Sequence, residues 1–192
     1  MIFFVTGSSG SGKTTCIKEL KKLLPGNIKV FDFDDVGVPE NADKVWRQKA
    51  TEYWIKKAIE YQSKNIDICV CGTSVLGEIL ASPSMPQVNG IAVCLLDCSD
   101  WARIERLNKR GTYGANQDML NWAAWLRMHS VDPQWHQNVI KESCWEKMQW
   151  DRWDTWQKDN LKWNITHVID STTLSVEEVA KRIVDWITSE VK

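Results

Sequence analysis

The chain has 192 residues, with 24 Lys and Arg against 25 Asp and Glu and a net charge of -1. Clustered cations are what non-specific nucleic-acid binding rests on, so this balance argues against a dedicated DNA- or RNA-binding module. No apolar run reaches the length of a membrane span, and the length suits one domain, 1–192, with a full core.

The expected elements alternate between strand and helix. "IFFV" (2–5) is a continuous apolar run, as in a strand covered on both faces. After a Gly-rich turn, Cys16, Ile17, Leu20, Leu23 and Leu24 recur at helical spacing until Pro25-Gly26 stops the helix. "IKVF" (28–31) reads as the second strand and Ala42–Lys64 as a long helix. "IDICVC" (66–71) is the third strand, "VLGEIL" (75–80) a short helix, and "ASPSMPQVNG" (81–90) a loop. "IAVCLLD" (91–97) is the fourth strand, and Ser99 can cap the helix that follows. Residues 111–163 show no strand pattern and read as a helical insertion over the active edge. "THVID" (166–170) is the fifth strand. In the last helix, 174–187, Ser175 and Glu178 form a capping box and Leu174 can staple onto Val179. Strands separated by helices predict a parallel α/β sheet with right-handed crossovers.

Six cysteines are present, none in a C-x-x-C pair. Cys94 and Cys98 have no nearby His or second Cys pair to complete a zinc site, so buried reduced thiols are expected. The N-terminus lacks a charged n-region, and its motif begins too early for a cleaved signal. A cytoplasmic protein is the expectation, with no membrane partner and as a monomer or small homo-oligomer.

The segment "GSSGSGKTT" matches G-x-x-x-x-G-K-[ST] at Gly7, Gly12, Lys13 and Thr14, directly between a strand and a helix. Gly10 and Gly12 permit backbone conformations that turn successive N–H groups inward. The positive end of the helix faces the same point, and Lys13 adds a charge for terminal phosphates. Thr14 offers a hydroxyl to Mg²⁺, and Thr15 can bond a phosphate oxygen. Gly7, Ser8, Ser9, Gly10, Ser11, Gly12, Lys13, Thr14 and Thr15 together form the expected ATP cradle. "NKRG" (108–111) lacks the Asp of a guanine-reading N-K-x-D. Neither "VCLLDCS" nor "CVCGTS" carries the Asp-Glu of motor ATPases.

With these motifs the chain resembles the small P-loop kinases, a family that includes nucleoside monophosphate, shikimate and gluconate kinases. The likeness covers most of the chain outside 111–163. It implies a P-loop NTPase fold: three α/β/α layers, a five-stranded parallel sheet in the order 2-3-1-4-5, and here a helical, Trp-rich lid insertion. "DFD" (32–34) is similar to the D-x-D ending strand two in shikimate-type kinases, which implies Asp32 at the Mg²⁺ shell and Asp34 at the acceptor hydroxyl; strand alternation puts Phe33 on the other face from both, so the pair can share a site, and Asp35 reads as loop. "CGTS" (71–74) occupies the place of the acceptor loop, implying Gly72 and Thr73 as acceptor contacts, although it lacks the triple Gly of shikimate kinase. Arg106 and Arg110 are spaced like the family's adenine-stacking and lid-phosphate arginines. Arg127 is a further lid arginine by the same resemblance, and Asp170–Thr173, with Thr172, falls where adenine is held.

Charge separates the acceptors. Between Phe33 and Gly90 the single arginine is Arg47, expected to touch the acceptor, while Asp34 and Asp35 open the same region. Two unit charges 4 Å apart at an effective dielectric near 20 interact by about 4 kcal/mol. A phosphate acceptor beside these carboxylates needs more cations than the region holds, so a hydroxyl is favoured, with Asp34 as base or orienting group. Eight of the twelve Trp residues lie between Trp122 and Trp163. They read first as lid-helix packing and second as an aromatic wall for a flat acceptor. His129 and His136, flanking Asp132-Pro133, read as solvated or capping groups. The expected activity is phosphoryl transfer from Mg²⁺·ATP to a small-molecule hydroxyl, with Lys13, Asp34, Arg110 and Arg127 as the catalytic group. A nucleoside monophosphate kinase, a polynucleotide-end kinase and a non-catalytic ATP-binding switch are the alternatives.

Overall fold

The computed structural model describes residues 1–111, 114–132, 134–152 and 167–191. Five parallel strands form one sheet: β1 (Ile2–Thr6), β2 (Ile28–Asp32), β3 (Asp67–Cys71), β4 (Ile91–Asp97) and β5 (His167–Asp170). Their spatial order is β2-β3-β1-β4-β5, and every neighbouring pair is parallel. The parallel sheet is the one expected from the alternation of strand and helix, and its strand order is the one the family resemblance implies.

The apolar runs at β1, β3 and β4 are continuous because both faces of the sheet are covered. One face, carrying Phe3, Val5, Val30, Cys69, Cys71, Cys94 and Leu96, packs on α1 (Lys13–Leu23) and on the last helix, α7 (Val176–Glu190). The other, carrying Ile2, Phe4, Ile68, Val70, Ile91 and Val93, packs on α2 (Lys44–Gln62) and α3 (Leu76–Ala81). Adjacent residues thus alternate between two cores, as strand geometry requires. The described cysteines are free.

Side-chain caps set several boundaries. Asp43 accepts from Trp46 N at 2.8 Å, so α2 starts at Lys44 and not at Ala42, and it ends at Gln62, two residues before the expected Lys64. Ser99 caps α4 (Asp100–Arg110) by accepting from Ala102 N. The Ser175–Glu178 capping box is formed at α7, and Leu174 and Val179 share one apolar cluster. The expected loop 81–90 holds a 3-10 turn, Met85–Gln87.

Within 111–149 the described helices are α5 (Gln117–Val131) and the short α6 (Asn138–Lys141). Trp125 and Leu126 of α5 pack on Val75, Leu95 and Ile140, with Trp122 and Trp150 at the margin. α5 therefore rests over the carboxyl ends of β3 and β4. Of the eight Trp residues in this region, Trp153, Trp156 and Trp163 lie outside the described residues.

Candidate active site

At the carboxyl ends of β1, β2 and β3 the chain opens into a cleft of about 660 Å³. Its floor is the turn Ser9–Gly12 and the first turn of α1. Gly7 holds the turn against the sheet: a Cβ there would stand 2.2 Å from Leu96 O. Gly12, with φ +102°, is the N-cap of α1, and that left-handed backbone, not crowding, is what calls for glycine. No side chain caps α1, and no acidic residue occupies its first turn. The positive helix end is left facing the cleft.

Lys13 is buried, with Nζ 3.0 Å from Ser8 O. Burial, and next the neighbouring Arg103 guanidinium, lower its pKa to about 8; Asp34 and Asp32 act in the opposite direction. Thr14 and Thr15 line the cleft beside it.

Asp32 and Asp34 both line the cleft, although strand alternation is not the cause. β2 ends at Asp32, and a 3-10 turn, Phe33–Val36, takes over. Asp32 accepts from Asp34 N at 3.1 Å, while Asp35 Oδ2 accepts from Asp32 N at 3.1 Å. Asp35 thereby closes a capping box and is more than loop. Phe33 drops into the core, its carbonyl held by Trp54 Nε1 at 3.0 Å. Partial burial raises the Asp34 pKa first, with the Asp32 and Asp35 charges adding to it and Lys13 opposing. Gly72 and Thr73 form the opposite wall. A Cβ on Gly72 would lie 2.0 Å from Phe33 Cβ, so this glycine lets β3 press against the carboxylate turn.

α4 contributes Arg106 and Arg110 to the lining, both from the sequence pattern. Arg106 is tied down: Nη1 donates to Gly10 O and Ser171 Oγ, and Nη2 to Ser171 O at 2.6 Å. Three expected positions are displaced from the cleft. Thr172 turns to Ser99 N and Asp170, and Ser171, Leu174, Ser175 and Val176 line the far end instead. Arg47 makes a two-pronged pair with buried Glu78, at 2.8 and 2.7 Å, and lies 4.9 Å from the Trp122 ring. Glu78 also accepts from Gln48, which together binds α2, α3 and α6. Arg127 joins Asp97 at 3.3 Å and Asp100 at 3.1 Å. Each is held where it is by a partner distant in sequence or by a turn one residue out of step. Gly7 and Ser8 support the turn without lining the cleft, and Ser8 Oγ donates to Met119 O.

Sequence reasoning missed Arg103. It is fully buried, donating from Nη1 to Ser9 O and from Nη2 to Asp97 Oδ1, each at 2.5 Å. Its i, i+3 spacing to Arg106 was the available signal. The Trp residues of α5 follow the packing reading: Trp122 stacks on Trp125 at 5.1 Å, and Trp125 on His129 at 4.5 Å. His129 is buried, not solvated, and burial lowers its pKa to about 4.

The donor set fits a nucleoside triphosphate and its metal. The uncapped α1 terminus, Lys13 and two threonine hydroxyls suit phosphate oxygens, while the Thr14 hydroxyl and the Asp32 carboxylate are hard oxygen donors of the kind Mg²⁺ takes. Ser11 Oγ is buried with no hydrogen-bond partner, a polar atom left over within the cradle.

Sheet order, flanking helices and phosphate turn define a P-loop NTPase α/β fold. A family model described as an AAA domain matches residues 3–121, more than half the sequence, and the chain belongs to that family. No curated protein matches the chain. Among solved structures, a sugar kinase from a Janibacter species is 15% identical with a TM-score of 0.58, covering 97% of this chain and 94% of that one. Shikimate kinase from Acinetobacter baumannii, in complex with shikimate, is 14% identical with a TM-score of 0.53 over 98% and 93%. The tunicamycin resistance protein of Deinococcus radiodurans is 14% identical with a TM-score of 0.53 over 97% and 94%. At these identities the likeness is one of fold, and the kinases among these neighbours are small P-loop kinases.

Proposed function

We propose that the protein is an ATP-dependent kinase that transfers the γ-phosphoryl group of Mg²⁺·ATP to a hydroxyl of a small molecule. The observation that carries this reading is one cleft shared by Lys13, Asp32, Asp34 and Arg110. Bound Mg²⁺·ATP supplies the transferable phosphoryl group and a divalent charge across its phosphates. The Ser9–Thr15 segment holds the phosphates through backbone N–H groups and the Thr15 hydroxyl. Lys13 offsets charge growing on the transferring group. Thr14 and Asp32 hold the metal. Asp34 accepts a hydrogen bond from the acceptor hydroxyl, orients it, and receives its proton as the new phosphate ester forms and the bond from the γ-phosphorus to the bridging oxygen breaks, releasing ADP. Its raised pKa makes it a better base than an ordinary aspartate. Gly72 and Thr73 bound the acceptor, and Arg110 approaches the phosphates from α4.

Arg47 supports a hydroxyl over a phosphate acceptor. The one arginine of the acceptor region is committed to Glu78, so among the described residues that region brings the carboxylates of Asp32 and Asp34 to the cleft and no arginine. The acceptor classes worth testing are nucleosides, sugars, shikimate-like polyols and antibiotic-like compounds. Incubation with γ-labelled ATP and Mg²⁺ against pools of each, and against nucleoside monophosphates in a separate arm, tests the reading. Label in a hydroxyl pool is expected. Label confined to the monophosphates would replace it with a nucleoside monophosphate kinase. Tight ATP binding with label in no pool would favour a nucleotide-dependent switch.

A further inference from the structure

A chain of charged contacts runs from α5 to the phosphate turn. Arg127 of α5 donates to Asp97 Oδ2 at 3.3 Å, and Asp97 Oδ1 accepts from Arg103 Nη2 at 2.5 Å. Arg103 Nη1 in turn donates to Ser9 O at 2.5 Å, and Nη2 reaches Cys98 O at 3.3 Å. A fully buried arginine is costly unless its donors are met, yet this one stands beneath the turn that lines the cleft. The peptide plane gives it a task. With the Ser9 carbonyl drawn to Arg103, the Gly10 N–H of the same trans peptide must point the opposite way. Arg106, one turn further along α4, holds the next carbonyl, Gly10 O. Two arginines of one helix thus fix two consecutive carbonyls of the turn. Ser8 Oγ to Met119 O, at 3.4 Å, is a second contact between the turn and α5.

We propose that Arg103 is a positioning residue of the phosphate turn and that, through the shared Asp97, it links nucleotide occupancy to the seating of α5. Arg103 holds the turn in its anion-binding form. Asp97 divides its two oxygens between Arg103 and Arg127, so a displacement of either arginine reaches the other through a single carboxylate. Arg127, read from the sequence as a lid arginine of the catalytic group, serves the turn from the outer end of this chain of contacts. The inference rests on Gly7–Thr15 as a nucleotide site, but not on phosphoryl transfer.

The test reads Mg²⁺·ATP affinity and backbone hydrogen exchange of α5, with no acceptor present. In the unmodified protein, ATP should slow exchange in α5. Arg103→Lys keeps the charge but cannot reach Ser9 O and Asp97 together, and should weaken ATP binding by about tenfold. Arg127→Gln alters a side chain that is 35% exposed. It should leave most of the affinity and remove most of the ATP-induced protection of α5. If Arg103→Lys does not fold, Arg127→Gln decides alone. Unchanged affinity in folded Arg103→Lys, or α5 exchange indifferent to ATP in the unmodified protein, would overturn the proposal and leave the kinase reading standing. Absence of any ATP binding by the unmodified protein would remove the nucleotide site, and both with it.

Discussion

Lys13 and Asp34 are perturbed in opposite senses by one cause, since burial disfavours whichever form is charged. Lys13 is held at about 8 in the ligand-free protein. Below that pH it already carries the proton that phosphate binding needs; above it, each ATP must bring a proton back. ATP affinity should therefore fall with a slope approaching tenfold per pH unit above about pH 8. Calorimetry in buffers of different ionisation enthalpy should show proton uptake rising towards one per ATP over that range. The same shift has a consequence for stability. Between about pH 8 and 10.5 the unfolded chain keeps a proton the fold has released, so this group makes the ligand-free fold more stable as pH rises through that window. For Asp34, the charge that serves the chemistry is a charge the fold would do better without, being partly desolvated and beside Asp32 and Asp35. Asp34→Asn should raise the melting temperature while lowering kcat by about 10²–10⁴-fold, with ATP affinity within a few-fold of the original. An equal collapse of ATP affinity would place Asp34 in the metal site.

Among the elements, the meeting of β3 with the 3-10 turn after β2 matters most for the site. Gly72 allows Phe33 to pack where its own Cβ would otherwise stand, and Phe33 anchors the turn that presents Asp32 and Asp34. Gly72→Ala should displace that turn, costing about 1–3 kcal/mol through overpacking and lowering transfer more than a neutral surface change would. Phe33→Leu in the same protein should not recover that stability, because leucine keeps the Cβ and Cγ that the added methyl meets; denaturant unfolding of both variants measures the cost. The elements themselves were largely legible. Continuous apolar runs announced β1, β3 and β4, and local capping residues announced α4 and α7, because these signals act over a few residues. What the arginines do was not legible, because each answer depends on a distant partner: Glu78 for Arg47, Asp97 for Arg103 and Arg127, and the Ser171 turn for Arg106. Even the shared facing of Asp32 and Asp34, foreseen from strand alternation, arises from a turn in which alternation has ended. Thr172 and Ser171 show the same limit at one-residue scale, since the turn after β5 decides which of them faces the cleft.

At the scale of the whole molecule, the cleft is assembled from segments spread over almost the entire sequence, from Ser9 to Val179. No contiguous stretch could form it, so a nucleotide that binds the folded cleft has no equivalent site in the unfolded chain. Binding must then appear as global stability. At a free concentration one hundred times Kd, Mg²⁺·ATP should stabilise the fold by about 2.7 kcal/mol. For a domain of this size that corresponds to a rise in melting temperature of about 5–11 °C. Lys13→Ala should lose most of this rise at the same ATP concentration, because the affinity that produces it depends on the buried ammonium group. The ligand-free variant should melt no lower than the original protein, since a buried charge disfavoured by its surroundings has been removed. These two expectations separate a damaged fold from a lost ligand contact. A variant that melts low with and without ATP points to packing, whereas one that melts normally and ignores ATP points to the phosphate turn. A full ATP-induced shift in Lys13→Ala would place the nucleotide's charge recognition somewhere other than this turn.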